Sequence, residues 1–191
     1  MKVGVLALQG AFREHEKLLT ACGVEPVQIR KPQQLDQISA LVIPGGESTT
    51  IGKLMNEFKL FAPVVKLGQE GLPVFGTCAG LILLARDIAG SEQPRIGLMD
   101  ICVERNAFGR QADSFEASLD IPAIGVQPFR AVFIRAPYIR AAGSGVEVLA
   151  RFQEKIVFAR QGRLLAAAFH PELTGDIRIH KYFLEKCVQA A

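Results

Sequence analysis

The chain has 191 residues, 49% of them hydrophobic, which is enough apolar material for a sizeable core in one domain spanning residues 1–191. Its 22 Lys plus Arg against 19 Asp plus Glu leave a net charge of +3 with no basic block, which argues against nucleic acid as a partner. No apolar run approaches the ~20 residues of a membrane span, and Met1-Lys2-Val3-Gly4-Val5 enters a strand pattern rather than the charged start and cleavage site of a signal peptide.

Strand and helix signals alternate through the first half. Val3 to Leu8 reads as a strand. Ala11 to Cys22 reads as a helix, with Ala11, His15, Leu18 and Cys22 on one face and His15 at the edge of the core. Gly23 closes it, Val24 to Ile29 is the next strand, and Leu41-Val42-Ile43 is a third that runs into Pro44-Gly45-Gly46-Glu47-Ser48-Thr49-Thr50. A helix to about Phe58 follows, then another from Leu60 to Gln69, then a strand over residues 72–75. Such alternation implies a parallel sheet with helices on both faces. From about Ile96 the links shorten, and the strands Ile101-Cys102-Val103, Val132-Phe133-Ile134, Val146 to Ala150, Ile156 to Ala159 and Leu164 to Phe169 must include antiparallel pairs. A last helix is expected from about Asp176 to Cys187, with Ile179, Phe183 and Cys187 in line. Residues 107–128 carry no clear pattern.

Cysteines stand at 22, 78, 102 and 187, widely spaced and without a C-x-x-C pair. Cys22, Cys102 and Cys187 fall in apolar patterns and are expected to be buried thiols. That usage fits neither a disulfide framework nor zinc-ligand spacing, so no metal or cofactor is expected and a reducing, cytoplasmic setting fits best.

One cysteine differs from the rest. Cys78 lies within Gly76-Thr77-Cys78-Ala79-Gly80, directly after the apolar run Leu72-Pro73-Val74-Phe75. This pattern fits a nucleophile elbow, a strand turning sharply into a helix with the reactive atom at the apex. Glycines two residues to either side suit close packing of helix on strand. A thiolate would be the attacking species. The helix, expected to begin near Leu81, would set its positive end beside the sulfur. The amide of Ala79, next after the nucleophile, is an expected oxyanion donor. His170-Pro171-Glu172 follows a second apolar run. Proline disfavours the helical region for the residue before it, so the tripeptide is expected to be extended. Glu172 would then share a side with His170 and orient the imidazole toward Cys78.

In strand-helix alternating sheets, ligands gather beyond the carboxyl ends of strands. Gln9-Gly10, Gly45-Gly46-Glu47-Ser48 and the elbow all fall there. Gln9 could approach the oxyanion region or could simply end its strand.

The elbow with His170-Pro171-Glu172 resembles the class I, triad-type glutamine amidotransferases. Leu8-Gln9-Gly10-Ala11, Pro44 to Thr50, Glu104-Arg105-Asn106-Ala107-Phe108-Gly109-Arg110-Gln111 and Phe133-Ile134-Arg135-Ala136-Pro137 narrow the resemblance to the glutaminase subunits of pyridoxal 5′-phosphate synthase. It runs from the first strand to the last helix, apart from residues 112–128, which do not align. The resemblance implies a flavodoxin-like three-layer α/β/α sandwich, mostly parallel with some antiparallel strands. It implies hydrolysis of L-glutamine to glutamate and ammonia, with ammonia passed to a separate (β/α)₈-barrel synthase subunit. It also implies Gly46 as the second oxyanion donor, and Gly46, Glu47, Ser48, Arg105, Ile134 and Arg135 as the glutamine-binding residues.

Two other readings compete. One is a Cys-dependent hydrolase of the intracellular-protease kind, but several of those place His directly after the Cys, where this chain has Ala79. The other is a catalytically idle regulatory subunit, against which an intact triad argues.

Overall fold

The computed structural model describes residues 1–105 and 114–189. Five strands of its main sheet form a parallel block in the order β2 (Glu25–Ile29), β1 (Lys2–Leu6), β3 (Ala40–Ile43), β4 (Val74–Thr77) and β12 (Leu164–Ala167). β3 and β4 are buried along their whole length, as strands covered on both faces must be. Helices α1 (Phe12–Ala21), α2 (Ser48–Glu57), α3 (Phe61–Gln69) and α4 (Ala79–Leu84) connect or follow these strands.

Beyond β12 the sheet turns antiparallel. β11 (Lys155–Gln161) pairs with β12, with β9 (Tyr138–Ala142) and with β10 (Glu147–Phe152). β9 in turn pairs with β6 (Met99–Glu104), and β6 runs parallel to β5 (Ala85–Ile88). β7 (Ser114–Leu119) and β8 (Phe129–Ile134) form a separate antiparallel pair. This pair is anchored to the segment that follows β12 by aromatic packing, with Phe129 and Phe133 both against Phe169, and by the His170 N–H donating to Val132 O at 2.8 Å.

Several sequence expectations need correction. β4 lies two residues later than expected, at Val74–Thr77, because Pro73 has no N–H to give to a ladder. The helix after the elbow starts at Ala79, not near Leu81, and is only six residues long, all buried. It runs straight into β5, with no loop to mark the change. β5, β7 and β9 were not legible in the pattern. The expected last helix begins at Arg178, as α5 (Arg178–Phe183), and widens into a π-helical turn over Leu184–Val188. Ile179, Phe183 and Cys187 are all fully buried, as the in-line spacing requires. Cys22 and Cys102 are half-buried rather than buried. His15 is not at the core edge but has no exposed surface at all. Asn106 to Gln111 and residues 112–113 lie outside the described residues.

Candidate active site

Three adjacent parallel strands deliver the site to one sheet edge. The register pairs Ile43 with Gly76 and Ala167 with Thr77, so the segments that follow β3, β4 and β12 leave the sheet side by side. Those segments carry Gly45-Gly46, Cys78 and His170. The Cys78 N–H still donates to Ala167 O at 2.8 Å, which ties the Cys78 backbone to the strand that leads to His170.

At Cys78 the chain turns with φ 48 and ψ −99. This is a rare conformation for a residue with a side chain, of the kind that persists only where the surroundings enforce it. The surroundings here are tight. A Cβ on Gly76 would stand 2.5 Å from Gly80 C, and one on Gly80 would stand 2.1 Å from Ile43 O, both far inside contact distance. The elbow therefore admits glycine only at these two positions. Cys78 is 6% exposed, with Sγ 3.8 Å from Ile134 O. Ala79 opens α4, so its N–H has no acceptor within the helix.

His170 and Glu172 meet as expected but by a different local path. Pro171–Leu173 form a 3₁₀ turn instead of an extended segment. The turn folds Glu172 back so that Oε1 lies 2.7 Å from His170 Nδ1. Burial pulls the His170 pKa down, but hydrogen bonds with Cys78 and Glu172, and the charge of Glu172, outweigh it and carry the pKa up to about 10. Burial works to raise the Glu172 carboxyl, yet His15 and His170 hold it below its ordinary value.

Gln9, Gly46, Glu47, Ser48, Cys78, Ile82, Arg105, Ile134, Arg135 and His170 line one pocket of about 260 Å³. That is below the ~300–1,000 Å³ typical of drug-sized ligands, so the pocket suits a small metabolite. Every residue expected to bind glutamine lies on this wall, together with Gln9. Gly45 backs directly onto the His170 ring: a Cβ there would stand 2.2 Å from His170 Cε1. Arg135, like Cys78, has a positive φ, of 41.

Two of these side chains have duties in the fold as well. Glu47 caps α2, its carboxylate accepting from the Thr49 and Thr50 amides and from both threonine hydroxyls. Burial tends to raise the Glu47 pKa, but these donors bring it down to about 2. Ser48 is 2% exposed, and its hydroxyl donates to Gln93 Oε1 at 3.2 Å.

Gln93, Thr77 and Gln9 take parts that the sequence did not announce. Gln93 Oε1 also accepts from Arg105 at 2.8 Å and so aims the guanidinium across the pocket. Gln9 Oε1 accepts from the Glu47 amide at 2.9 Å, which clamps the glycine loop onto β1's end. Thr77 Oγ1 accepts from the Gly45 amide at 3.0 Å. None of the three sits in a periodic pattern; only the position of Gln9 beyond a strand end gave a signal.

The arrangement is one that acyl transfer requires: a strained cysteine, a buried imidazole held by a carboxylate, and a helix-start amide beside a small polar pocket. Comparison with known proteins points the same way. The subunit PdxT of pyridoxal 5′-phosphate synthase from Pelotomaculum thermopropionicum is 81% identical over 190 residues, covering 100% of this chain and 97% of that one. The protein of the same name from Geobacillus kaustophilus is 54% identical, covering 100% of this chain and 96% of that one. A crystal structure described as a glutamine amidotransferase superposes with a TM-score of 0.92 at 55% identity, covering 97% and 98% of the two chains. A structure of PurLQS from Thermotoga maritima, at 15% identity, shares the fold with a TM-score of 0.70 over 96% of this chain and 97% of that one. The family model for the SNO glutamine amidotransferases matches residues 5–189, nearly end to end, and the chain belongs to that family.

Proposed function

We propose that the chain hydrolyses L-glutamine to L-glutamate and ammonia on Cys78. We further propose that the ammonia passes to a separate (β/α)₈-barrel synthase subunit that builds pyridoxal 5′-phosphate. The observation that carries the reading is Cys78, held at φ 48 on the elbow and lining one pocket with the imidazole that Glu172 holds. The relatives' identity as subunits of pyridoxal 5′-phosphate synthase supports the synthase context. Residues 1–191 act as one amidotransferase domain in the cytoplasm; no helix among the described residues is long and apolar enough to cross a membrane.

The chemistry runs in two halves. Cys78 sulfur attacks the side-chain amide carbon of glutamine, forming an S–C bond and placing the carbonyl electron pair on oxygen. The amides of Ala79 and Gly46 receive that oxyanion, and losing one of them would cost roughly 3 kcal/mol of transition-state stabilisation. A pKa near 10 keeps His170 protonated at neutral pH. As the C–N bond breaks, His170 gives its proton to the departing nitrogen, which leaves as ammonia. Water then attacks the γ-glutamyl thioester, His170 takes the water's proton, and the sulfur leaves as glutamate forms. Glu172 holds the ring orientation and stabilises the imidazolium throughout. Arg105, whose guanidinium lines the pocket, receives the substrate's α-carboxylate. Ile134 and Arg135 line the same pocket.

A free-standing glutaminase would release ammonia that nothing in this chain can use, so the synthase is expected to switch the activity on. The test is glutamate formation by the chain with and without the synthase subunit, alongside the affinity of a Cys78→Ala variant for the synthase with and without glutamine. Linkage requires glutamine to tighten the complex by the factor by which the synthase tightens glutamine. Full activity of the lone chain, with glutamine-independent subunit affinity, would reject partner gating. No glutamate formation in either setting would reject the activity itself.

A further inference from the structure

Every histidine of the chain lies in one buried row of polar contacts. It starts at His180 on α5, whose Nε2 is 2.9 Å from Nδ1 of His15 on α1. His15 Nε2 is 3.1 Å from Thr77 Oγ1 and 3.3 Å from Glu172 Oε2. Glu172 Oε1 then meets His170, while Thr77 Oγ1 also receives the Gly45 amide. His15, Thr77 and His180 have no exposed surface. The hydrolysis described above uses His170 and Glu172 and leaves His15 and His180 without a role.

The direction of this row follows from two atoms that lack hydrogen-bond partners among the described residues. His180 Nδ1 is buried without a hydrogen-bond partner. A proton there would be an orphaned buried N–H, which native structures rarely tolerate. His180 therefore carries its proton on Nε2 and donates it to His15 Nδ1, which leaves the His15 proton on Nε2. The second atom is Glu172 Oε2, which is buried and also has no hydrogen-bond partner. A carboxylate oxygen only accepts, so a bare nitrogen lone pair at 3.3 Å would repel it and an N–H would not. The two arguments start at opposite ends of the row and agree. Burial lowers the pKa of both rings, against the pull of Glu172 and Glu14 on His15, and so favours one proton on each.

We infer that His15 is a positioning residue for the triad. Its Nε2–H, fixed by His180, steadies the Glu172 carboxylate with Oε1 turned to His170. It shares Thr77 Oγ1 with the Gly45 amide, so the base and the oxyanion loop are held on one buried frame. This inference rests on the glutaminase reading above.

The test compares His15→Phe and His15→Gln with Cys78→Ala in glutamate-formation assays run with the synthase subunit present. Phenylalanine removes the donor. A glutamine side chain can set an N–H near the position of Nε2. His15→Phe is expected to lower kcat by about 10- to 100-fold with little change in KM, the loss of the N–H that faces the Glu172 carboxylate behind the base. His15→Gln should recover most of that loss. Nitrogen-15 NMR of the unmutated protein should find His15 and His180 neutral with their protons on Nε2. This readout survives even if His15→Phe fails to fold. Unchanged kcat in His15→Phe while Cys78→Ala is dead would overturn the inference and leave the glutaminase reading standing. An Nδ1–H form or a charged ring at either histidine would overturn it too. Turnover by Cys78→Ala would overturn both.

Discussion

Gly45→Ala is the smallest change that should disable the site without touching a reacting group. Gly45 has no positive φ, so alanine meets no backbone penalty there. All of the effect is steric. The added Cβ would lie 2.2 Å from His170 Cε1 and 2.8 Å from Nδ1, against an ordinary contact of at least 3.4 Å. Something must move by about 1.2 Å, and neither partner is free to do so. The imidazole is tied to Glu172 at 2.7 Å. The loop is tied by the Gly45 amide to Thr77 and by Gly45 O to the Ala11 amide at 3.1 Å. If the ring yields, the base leaves Cys78; if the loop yields, the Gly46 amide leaves the oxyanion. A misplacement of about 1 Å costs on the order of 100-fold in rate, so kcat for glutamine hydrolysis should fall roughly that far with the fold intact. The assay is initial-rate glutamate formation with the synthase subunit, beside a thermal melt. Gly71→Ala is the control: φ is +99 with open space around the Cβ, so it should cost about 1 kcal/mol of stability through backbone strain and leave kcat alone. A Gly45→Ala enzyme within threefold of the parent would refute the steric argument.

Other consequences follow from the same geometry. A glutamine-analogue electrophile should label Cys78 well ahead of the other cysteines, since burial raises the Cys22 thiol and carries Cys187 up to about 11; peptide mapping that finds equal labelling would contradict this. Arg105→Ala should raise KM much more than it lowers kcat, because the guanidinium, held by Gln93, lines the pocket as a charge for the substrate's carboxylate and takes no part in the bond changes at Cys78; a fall confined to kcat would count against it. Glu47→Gln should cost about 1 kcal/mol by weakening the cap on α2. Because folding depresses the Glu47 pKa to about 2, that difference should be full above pH ~4.5 and vanish as pH falls toward 2. Chemical denaturation of both proteins across this range would show it, and a pH-independent gap would argue against the carboxylate as its source.

What the sequence made legible was local chemistry. The elbow glycines, the histidine–proline–glutamate tripeptide and the glycine loop each carry their constraint within a few residues, so their placement at one sheet edge followed from the alternation of strand and helix. Less legible was anything built by distant contact. His15 and His180 are 165 positions apart, and each alone resembles an ordinary helical histidine. Gln93 sits in a loop whose only signal is proline next to it. α4 was misplaced because a six-residue helix that is buried all round has no polar face to give it a period. The strand β7 does alternate polar and apolar residues, but only over six positions, too few to stand out within residues 107–128. Glu172 reached His170 through a 3₁₀ turn because Pro171 is also a favoured first residue of such turns.

The central claim is that Cys78 forms a covalent γ-glutamyl intermediate during glutamine hydrolysis. Acid-quenched enzyme, taken in the steady state with glutamine and the synthase subunit present, should carry a glutamyl adduct on the peptide that contains Cys78, as read by mass spectrometry. Cys78→Ala should carry none and should form no glutamate, with an unchanged far-UV spectrum. Normal turnover by Cys78→Ala, or an adduct on any other residue, would contradict the account.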